Sequence, residues 1–287
     1  MRQRFVQSFS TSGTEHEAID AERLGKPYVA FIYDGQYIDW NTLSPTPPVP
    51  PEPVYSAMYL TFEVVSGGTI IWKSTDEGVN RPIQYSLNGG EWTTIPGDTA
   101  GTTINVVAGD IVSFKGNNNG YGEPDVGGVR RARFTDSTCV FKLYGNILSL
   151  CYNDDFEAYT AAKNTGGYNF KGMFEKTNVI DASNLVLPKT LYADDLCYMF
   201  VVCNKLEKAP TIEANATSNR CMRAMFSGCT KLNYIKCLAT TITGANATTD
   251  WTAGVANTGT FVKHPNANWT TGVNGIPAGW TVEDADI

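Results

Sequence analysis

Two rhythms of hydrophobic and polar positions divide the chain. Residues 59–65, 69–72, 83–87, 103–107, 111–114 and 139–143 alternate apolar with polar side chains over short runs. Period-two alternation of this length predicts strands with one face buried and the other in water. Between two of these runs, Asn88-Gly89-Gly90 is a hairpin signal, because the tight turns that join strands need residues tolerant of positive φ. A succession of such runs separated by turns predicts an antiparallel β-sandwich over residues 54–146.

The second rhythm is longer. Met173-Phe174, Met199-Phe200 and Met225-Phe226 recur every 26 residues, and Ile180, Leu206 and Leu232, Cys203 and Cys229, and Lys205 and Lys231 keep the same register. Several aligned positions in consecutive copies mean that each copy is one structural unit placing the same side chains in the same wall. Within a copy, residues 220–226 carry apolar side chains at near-helical spacing, 227–230 form a turn, and 231–235 alternate like a short strand. No unit of this size covers its own apolar face, so stacking must supply the core. Each Leu, Met or Phe so buried stabilises by roughly 1.5–3 kcal/mol. Residues 147–287 are therefore expected to form an α/β solenoid, with the Met-Phe pairs as core ladder and a continuous lateral surface for binding.

Ahead of both regions lies a small module, residues 1–44, and a proline-rich linker, residues 45–53. Thr14 and Glu17 have capping-box spacing at the start of a short helix, and Asp34-Gly35 between two aromatic-rich runs predicts a hairpin. An isolated two-stranded hairpin is marginal in water. Its aromatic side chains Tyr28, Phe31, Tyr33, Tyr37 and Trp40 need another surface, which makes them candidates for anchoring the chain to a larger assembly. The linker's prolines favour extended polyproline II geometry, a semi-rigid spacer of about 30 Å at roughly 3.1 Å per residue.

The string Met225-Phe226-Ser227-Gly228-Cys229-Thr230-Lys231-Leu232 resembles the repeat unit of the BspA-like group of bacterial leucine-rich-repeat proteins. Residues 144–150 resemble that group's opening segment, and residues 259–263 and 275–282 its closing segment. In the first copy Glu175-Lys176-Thr177 replaces the Gly-Cys-Thr turn, so a different turn shape is expected there. Residues 24–30 are similar to the start of structural proteins of Bacteroides phages, crAss-like ones included. Together these resemblances imply a leucine-rich-repeat domain with a C-terminal cap, on either a phage virion protein or a bacterial surface adhesin.

Composition narrows the chemistry. A net charge of -7 disfavours nucleic acid as a partner, since phosphate binding needs a basic surface. No stretch reaches the ~20 apolar residues of a membrane helix, and residues 1–9 do not lead into the apolar run of a secretory signal. The seven Cys residues lack a CxxC pair and fit buried reduced thiols better than disulfides or zinc. His16 and His264 have no partner at ligand spacing, and nucleotide-cradle and nucleophile-elbow motifs are missing. The carboxylate groupings Asp154-Asp155 with Glu157, and Asp194-Asp195, are the one feature a glycoside hydrolase could use, though adjacent Asp residues usually point apart.

Aromatic faces flanked by amides suit carbohydrate or protein ligands. The candidates are Trp72, Trp92 and Tyr121 in the sandwich and Trp251 and Trp269 near the C-terminal cap, rings that would serve equally as core. The resulting expectation is a mixed, mainly β, non-enzymatic protein without cofactor or metal: a head or tail fibre of a virion, made in the host cytoplasm and held to other virion proteins. Such a fibre would be a homo-oligomer, commonly a trimer, facing host-surface or mucus glycans.

Overall fold

A computed structural model describes residues 31–33, 36–38, 53–74, 80–125 and 128–287. The chain forms two compact units, Met1–Pro53 and Val54–Ile287. In the first, strands β1 (Phe31–Tyr33) and β2 (Gln36–Ile38) pair antiparallel with Phe31 opposite Ile38, in agreement with the hairpin signal. The predicted helix, Tyr28, Trp40 and residues 45–52 of the linker lie outside the described residues.

The second unit is mainly β. Its elements are β3 (Leu60–Ser66), β4 (Gly68–Ser74), β5 (Ile83–Leu87), β6 (Thr93–Ile95), β7 (Thr102–Val106), β8 (Ile111–Gly116), β9 (Gly122–Asp125), β10 (Gly128–Phe134) and β11 (Val140–Asn146). After these come the short helix α1 (Ser149–Tyr152), β12 (Val179–Val186), β13 (Tyr234–Cys237), β14 (Thr260–Lys263) and β15 (Thr281–Asp284). One sheet has the order β7-β4-β10-β9; it faces a second ordered β12-β11-β3-β8-β5-β6. Alternation sets the packing: Leu60, Phe62 and Val64 of β3 are buried between the sheets, while Glu63 and Val65 point outward. Phe62 touches Phe141 and Phe114 of its own sheet at 4.3 and 5.1 Å between ring centroids, and Phe134 of the other at 4.8 Å. The Asn88-Gly89 turn has both residues at positive φ, as its hairpin role requires.

The second sheet does not stop at the expected boundary near residue 146. Its strand β12 pairs parallel with β11, and single bridges from Asp181 to Lys208 and from Lys208 to Tyr234 carry the pairing on to the parallel sheet β13-β14-β15.

The 26-residue copies are built differently from the near-helical expectation. Among the described residues the one α-helix is the four-residue α1. In each copy every fourth residue is left-handed instead: Tyr168, Gly172 and Lys176, then Asp194, Tyr198 and Val202, then Arg220, Ala224 and Gly228. Left-handed backbone breaks an α-helix at each such point. The freed amides follow a strict alternation. The Phe174, Phe200 and Phe226 N–H groups donate across to the next segment, to Met199, Met225 and Trp251 carbonyls at 2.9 Å each. Between them, Met173, Met199 and Met225 donate within their own copy to the carbonyl three residues back, at 3.1–3.2 Å. The near-helical apolar spacing is thus the spacing of successive tight turns.

Side chains stack in step with the backbone. Phe174 lies 5.3 Å from Phe200, Phe200 lies 5.8 Å from Phe226, and Trp251 continues the row 6.0 Å beyond. The row also begins before the repeats. Phe134 of β10 lies 5.8 Å from Phe174 with rings tilted only 5° apart, and the Phe134 and Tyr121 N–H groups donate to the first-copy carbonyls of Met173 and Asn169, both at 3.0 Å. The two-sheet region therefore occupies the position that a preceding copy would fill.

The first-copy turn keeps the shape of the others, contrary to expectation. Lys176 adopts φ 58°, as Val202 does, where Gly228 has 76°. Thr177 stands where Cys203 and Cys229 stand, and its hydroxyl donates to the Phe174 carbonyl at 2.8 Å while lying 3.6 Å from Cys203 Sγ. The Cys203 and Cys229 thiols donate in turn to the Phe174 and Phe200 carbonyls, each at 3.0 Å. All seven cysteines are buried and unbridged.

Candidate functional site

Strand β8 points Val112 and Phe114 inward, so Lys115 emerges on the outer face of the larger sheet. There its ammonium donates to Asp154 at 2.8 Å and lies 4.5 Å from the Trp92 ring and 5.7 Å from the Tyr59 ring. Tyr59, just ahead of β3, also donates to Asp154, at 2.7 Å, and meets Trp92 edge-on at 5.0 Å and Phe156 at 5.3 Å. Asp154 and Phe156 arrive on the tight-turn segment Asn153–Ala158 that follows α1. Lys115 and Tyr59 hold the Asp154 carboxyl below its ordinary value by hydrogen bonding. Burial and the Asp154 partner push the Tyr59 phenol up to about 12.

Next to this cluster the outer face is hollowed. One depression of about 270 Å³ is lined by Ser56, Asn146, Glu157, Tyr159, Thr160 and Lys189 among others. A second of about 320 Å³ continues past Tyr55, Asn184, Thr211, Glu213 and Lys236, and the two share Val186, Leu187 and Lys189. They form one shallow trough along the line where β11 and β12 hand the sheet over to the repeats. Lys189 and Glu213 are paired across it at 2.9 Å. A separate polar cleft of about 360 Å³ lies between Arg81, the Asn118–Gly120 stretch and Asn164.

Five aromatic residues stood as ligand candidates, and the structure separates them. Trp72, Tyr121 and Trp251 are buried in the core, which corrects their assignment to a binding surface. Their polar ends are used internally: Trp72 donates to the Arg81 carbonyl, Tyr121 to the Leu150 carbonyl, and Trp251 to the Gly275 carbonyl. Trp269 is partly buried and stacks on Trp251 at 5.0 Å as the end of the ring row. Trp92 alone of the five sits on the outer face beside hydrogen-bonding groups. Of the anchor candidates, Phe31, Tyr33 and Tyr37 fall on β1 and β2, while Tyr28 and Trp40 lie outside the described residues.

The carboxylate groupings do not face one another across a cavity. Asp154 is tied to Lys115 and Tyr59 while Asp155 and Glu157 are exposed. Buried Asp194 accepts from Lys171 and Arg220, and buried Asp195 accepts from the Asn169 side-chain amide and the Tyr192 backbone. Among the described residues no group of three His, Cys, Asp or Glu side chains is placed to hold a metal ion, and no helix is long and apolar enough to cross a membrane. The outer face presents ring faces, amides and single charges.

Tyr59, Lys115, Asp154 and Lys189 were not legible as a site. Lys115 could be placed on an outer face by alternation, but nothing local in the sequence brings it to Asp154, 39 residues away. No protein-family model, curated protein or solved structure matches the chain.

Proposed function

We propose that this chain is a non-enzymatic structural protein of a phage virion, a head or tail fibre that displays residues 54–287 toward glycans of a host surface or mucus. On this reading residues 1–44 fix the chain to other virion proteins, residues 45–53 space it from the particle, and the fibre is a homo-oligomer. Residues 54–146 are its β-sandwich, and residues 147–287 are a leucine-rich-repeat-like solenoid of the BspA type. The observation that supports the solenoid is the alternation of amides between in-copy and cross-copy partners at constant register through Phe174, Phe200 and Phe226. The trough lined by Tyr55 and Tyr159, with the Tyr59–Trp92 cluster beside it, supports attachment, since part-exposed rings beside amides and charges suit sugar faces. Weak single sites serve such a role because display in many copies raises avidity by about 10²–10⁴.

The BspA-like repeat string favours a second reading, a bacterial surface adhesin, on equal chemical grounds. Detection in purified particles separates the two. A chain starting at Val54 should be absent from particles that incorporate the full-length protein, and equal incorporation of both would refute the anchoring role of residues 1–44.

A further inference from the structure

The turns of consecutive copies bring equivalent residues into columns. Tyr168, Asp194 and Arg220 occupy one column and Lys171, Cys197 and Arg223 the next, each member 26 residues from the last. In the middle of this face lies Asp194, its side chain 1% exposed, accepting from Lys171 at 2.7 Å and from two nitrogens of Arg220 at 2.8 and 2.9 Å. The Lys171 ammonium also sits 5.2 Å from the Tyr168 ring and 5.6 Å from the Tyr198 ring. Burial raises the Asp194 carboxyl, but its bonds to Lys171 and Arg220 outweigh that and hold it below the ordinary value. It is therefore a fixed negative charge that is already shared between two cations. Arg223 belongs to the same face, since the backbone ladder stacks its column in register: the Gly172 N–H donates to the Cys197 carbonyl and the Tyr198 N–H to the Arg223 carbonyl, each at 2.9 Å. Its guanidinium has no hydrogen bond or ion pair among the described residues. Asp195, next in sequence, is turned away into the amides of Asn169 and Tyr192.

Two cations paired to one carboxylate, with Arg223 one column over, leave this face positive in a chain whose net charge is -7. We propose that it is a binding site for an acidic sugar of a glycan, with Arg223 making a two-pronged contact to a carboxylate or sulfate, Arg220 and Lys171 supplying the surrounding positive field, and Tyr168 and Tyr198 flanking the ring. A guanidinium presents two parallel donors to such groups, which an ammonium does not. The charge is compact, suited to one anionic group at a time and not to the dense, regular phosphates of a duplex. This site shares no residue with the trough, so the two stand or fall separately.

The test is retention of the full chain on immobilised polyuronate, sulfated dextran, neutral dextran and duplex DNA, at low and high salt. Expected are salt-sensitive retention on one or both acidic glycans and none on neutral dextran; the better of the two identifies carboxylate or sulfate. Arg223→Ala should weaken that retention about tenfold or more, the loss of one charge-assisted contact. It should leave the thermal midpoint unchanged, because Arg223 has no internal partner, and Trp92→Ala should leave this retention intact. Retention unaffected by Arg223→Ala, equal retention on neutral dextran, or no retention at low salt would each overturn the proposal. Stronger retention on duplex DNA than on either acidic glycan would overturn the choice of ligand in favour of nucleic acid.

Discussion

The two-sheet region and the 26-residue copies satisfy their backbone by opposite routes. In the sheets every strand finds partners from distant or neighbouring strands, mostly antiparallel, and side chains alternate across the layer. In the turn segments of the copies, successive amides are spent alternately inside their own tight turn and on the next copy, so every second donor of a turn segment is left for a neighbour. A sheet of this kind can close on itself, whereas a copy needs something stacked on both sides. Here the sheets provide one of those sides through Phe134 and Tyr121. The lesson is that the two regions form one folding unit joined by a shared ring row and a shared sheet, although their sequence rhythms differ.

Substitutions at the join should therefore cost the most. Phe134→Ala removes a ring that is 0% exposed and touches Trp72, Phe62, Phe114 and Phe174, so a loss of about 3–5 kcal/mol is expected. Chemical denaturation followed separately by near-ultraviolet signal and by proteolysis of the repeats should show one transition moved to lower denaturant. If only the two-sheet region moved, the join would be weaker than its geometry implies. Inside the repeats, Phe200→Ala should cost a similar ~3–5 kcal/mol and Leu206→Ala about 2–5 kcal/mol, both residues being fully buried. An unchanged midpoint for either would remove it from the stacked row.

A smaller effect has the opposite sign. Val202 is a β-branched residue held at φ 58°, where the equivalent position one copy later carries Gly228. Left-handed backbone costs a side-chain-bearing residue roughly 1–2 kcal/mol, and glycine's greater freedom when unfolded returns part of that. Val202→Gly should accordingly stabilise by about 0.5–1 kcal/mol, visible as a higher thermal midpoint. Destabilisation would mean that the Val202 side chain, 39% exposed, contributes more by packing than its backbone costs.

The last expected effect is absent at neutral pH and lies on the outer face of the sheet. Tyr59 in the folded protein should lose its proton only near pH 12, against about 10 when unfolded. Between those values the folded state binds the extra proton, so stability falls as pH rises from about 10 to about 12, and is unaffected by this group below that window. Spectrophotometric titration of the wild type against Tyr59→Phe isolates the phenol. A Tyr59 that titrates near pH 10 would show that its contact with Asp154 does not persist in solution.

Much of the architecture was legible in the sequence for physical reasons. Alternation located the strands around Phe62, Ile83–Leu87 and Phe114 because each has one wet and one dry face, and the Asn88-Gly89 turn followed from its tolerance of positive φ. The 26-residue register located the Met-Phe row because identical environments recur in each copy. What could not be read was the conformation inside a copy. Apolar residues every three or four positions fit both an α-helix and a chain of tight turns. The difference lies in left-handed φ at residues such as Tyr168, Tyr198 and Arg220, residue types that carry no such signal. Nor could burial of Trp72, Tyr121 and Trp251 be separated from ligand contact, since an indole or phenol suits either until its polar end is seen paired. The outer-face cluster depends on contacts such as Tyr59 to Asp154 across 95 residues, which only the sheet order creates.

Native-state hydrogen exchange tests the unity of the two regions most directly. The amides of Phe62, Phe134, Phe174 and Phe200 report respectively on the sheet, the join, the first copy and the second. All four should exchange with the same free energy, that of global unfolding, and shift together in Phe134→Ala. Exchange of Phe174 and Phe200 at a distinctly lower free energy, with Phe62 and Phe134 still protected, would contradict a single stack and mean that the repeats unfold on their own.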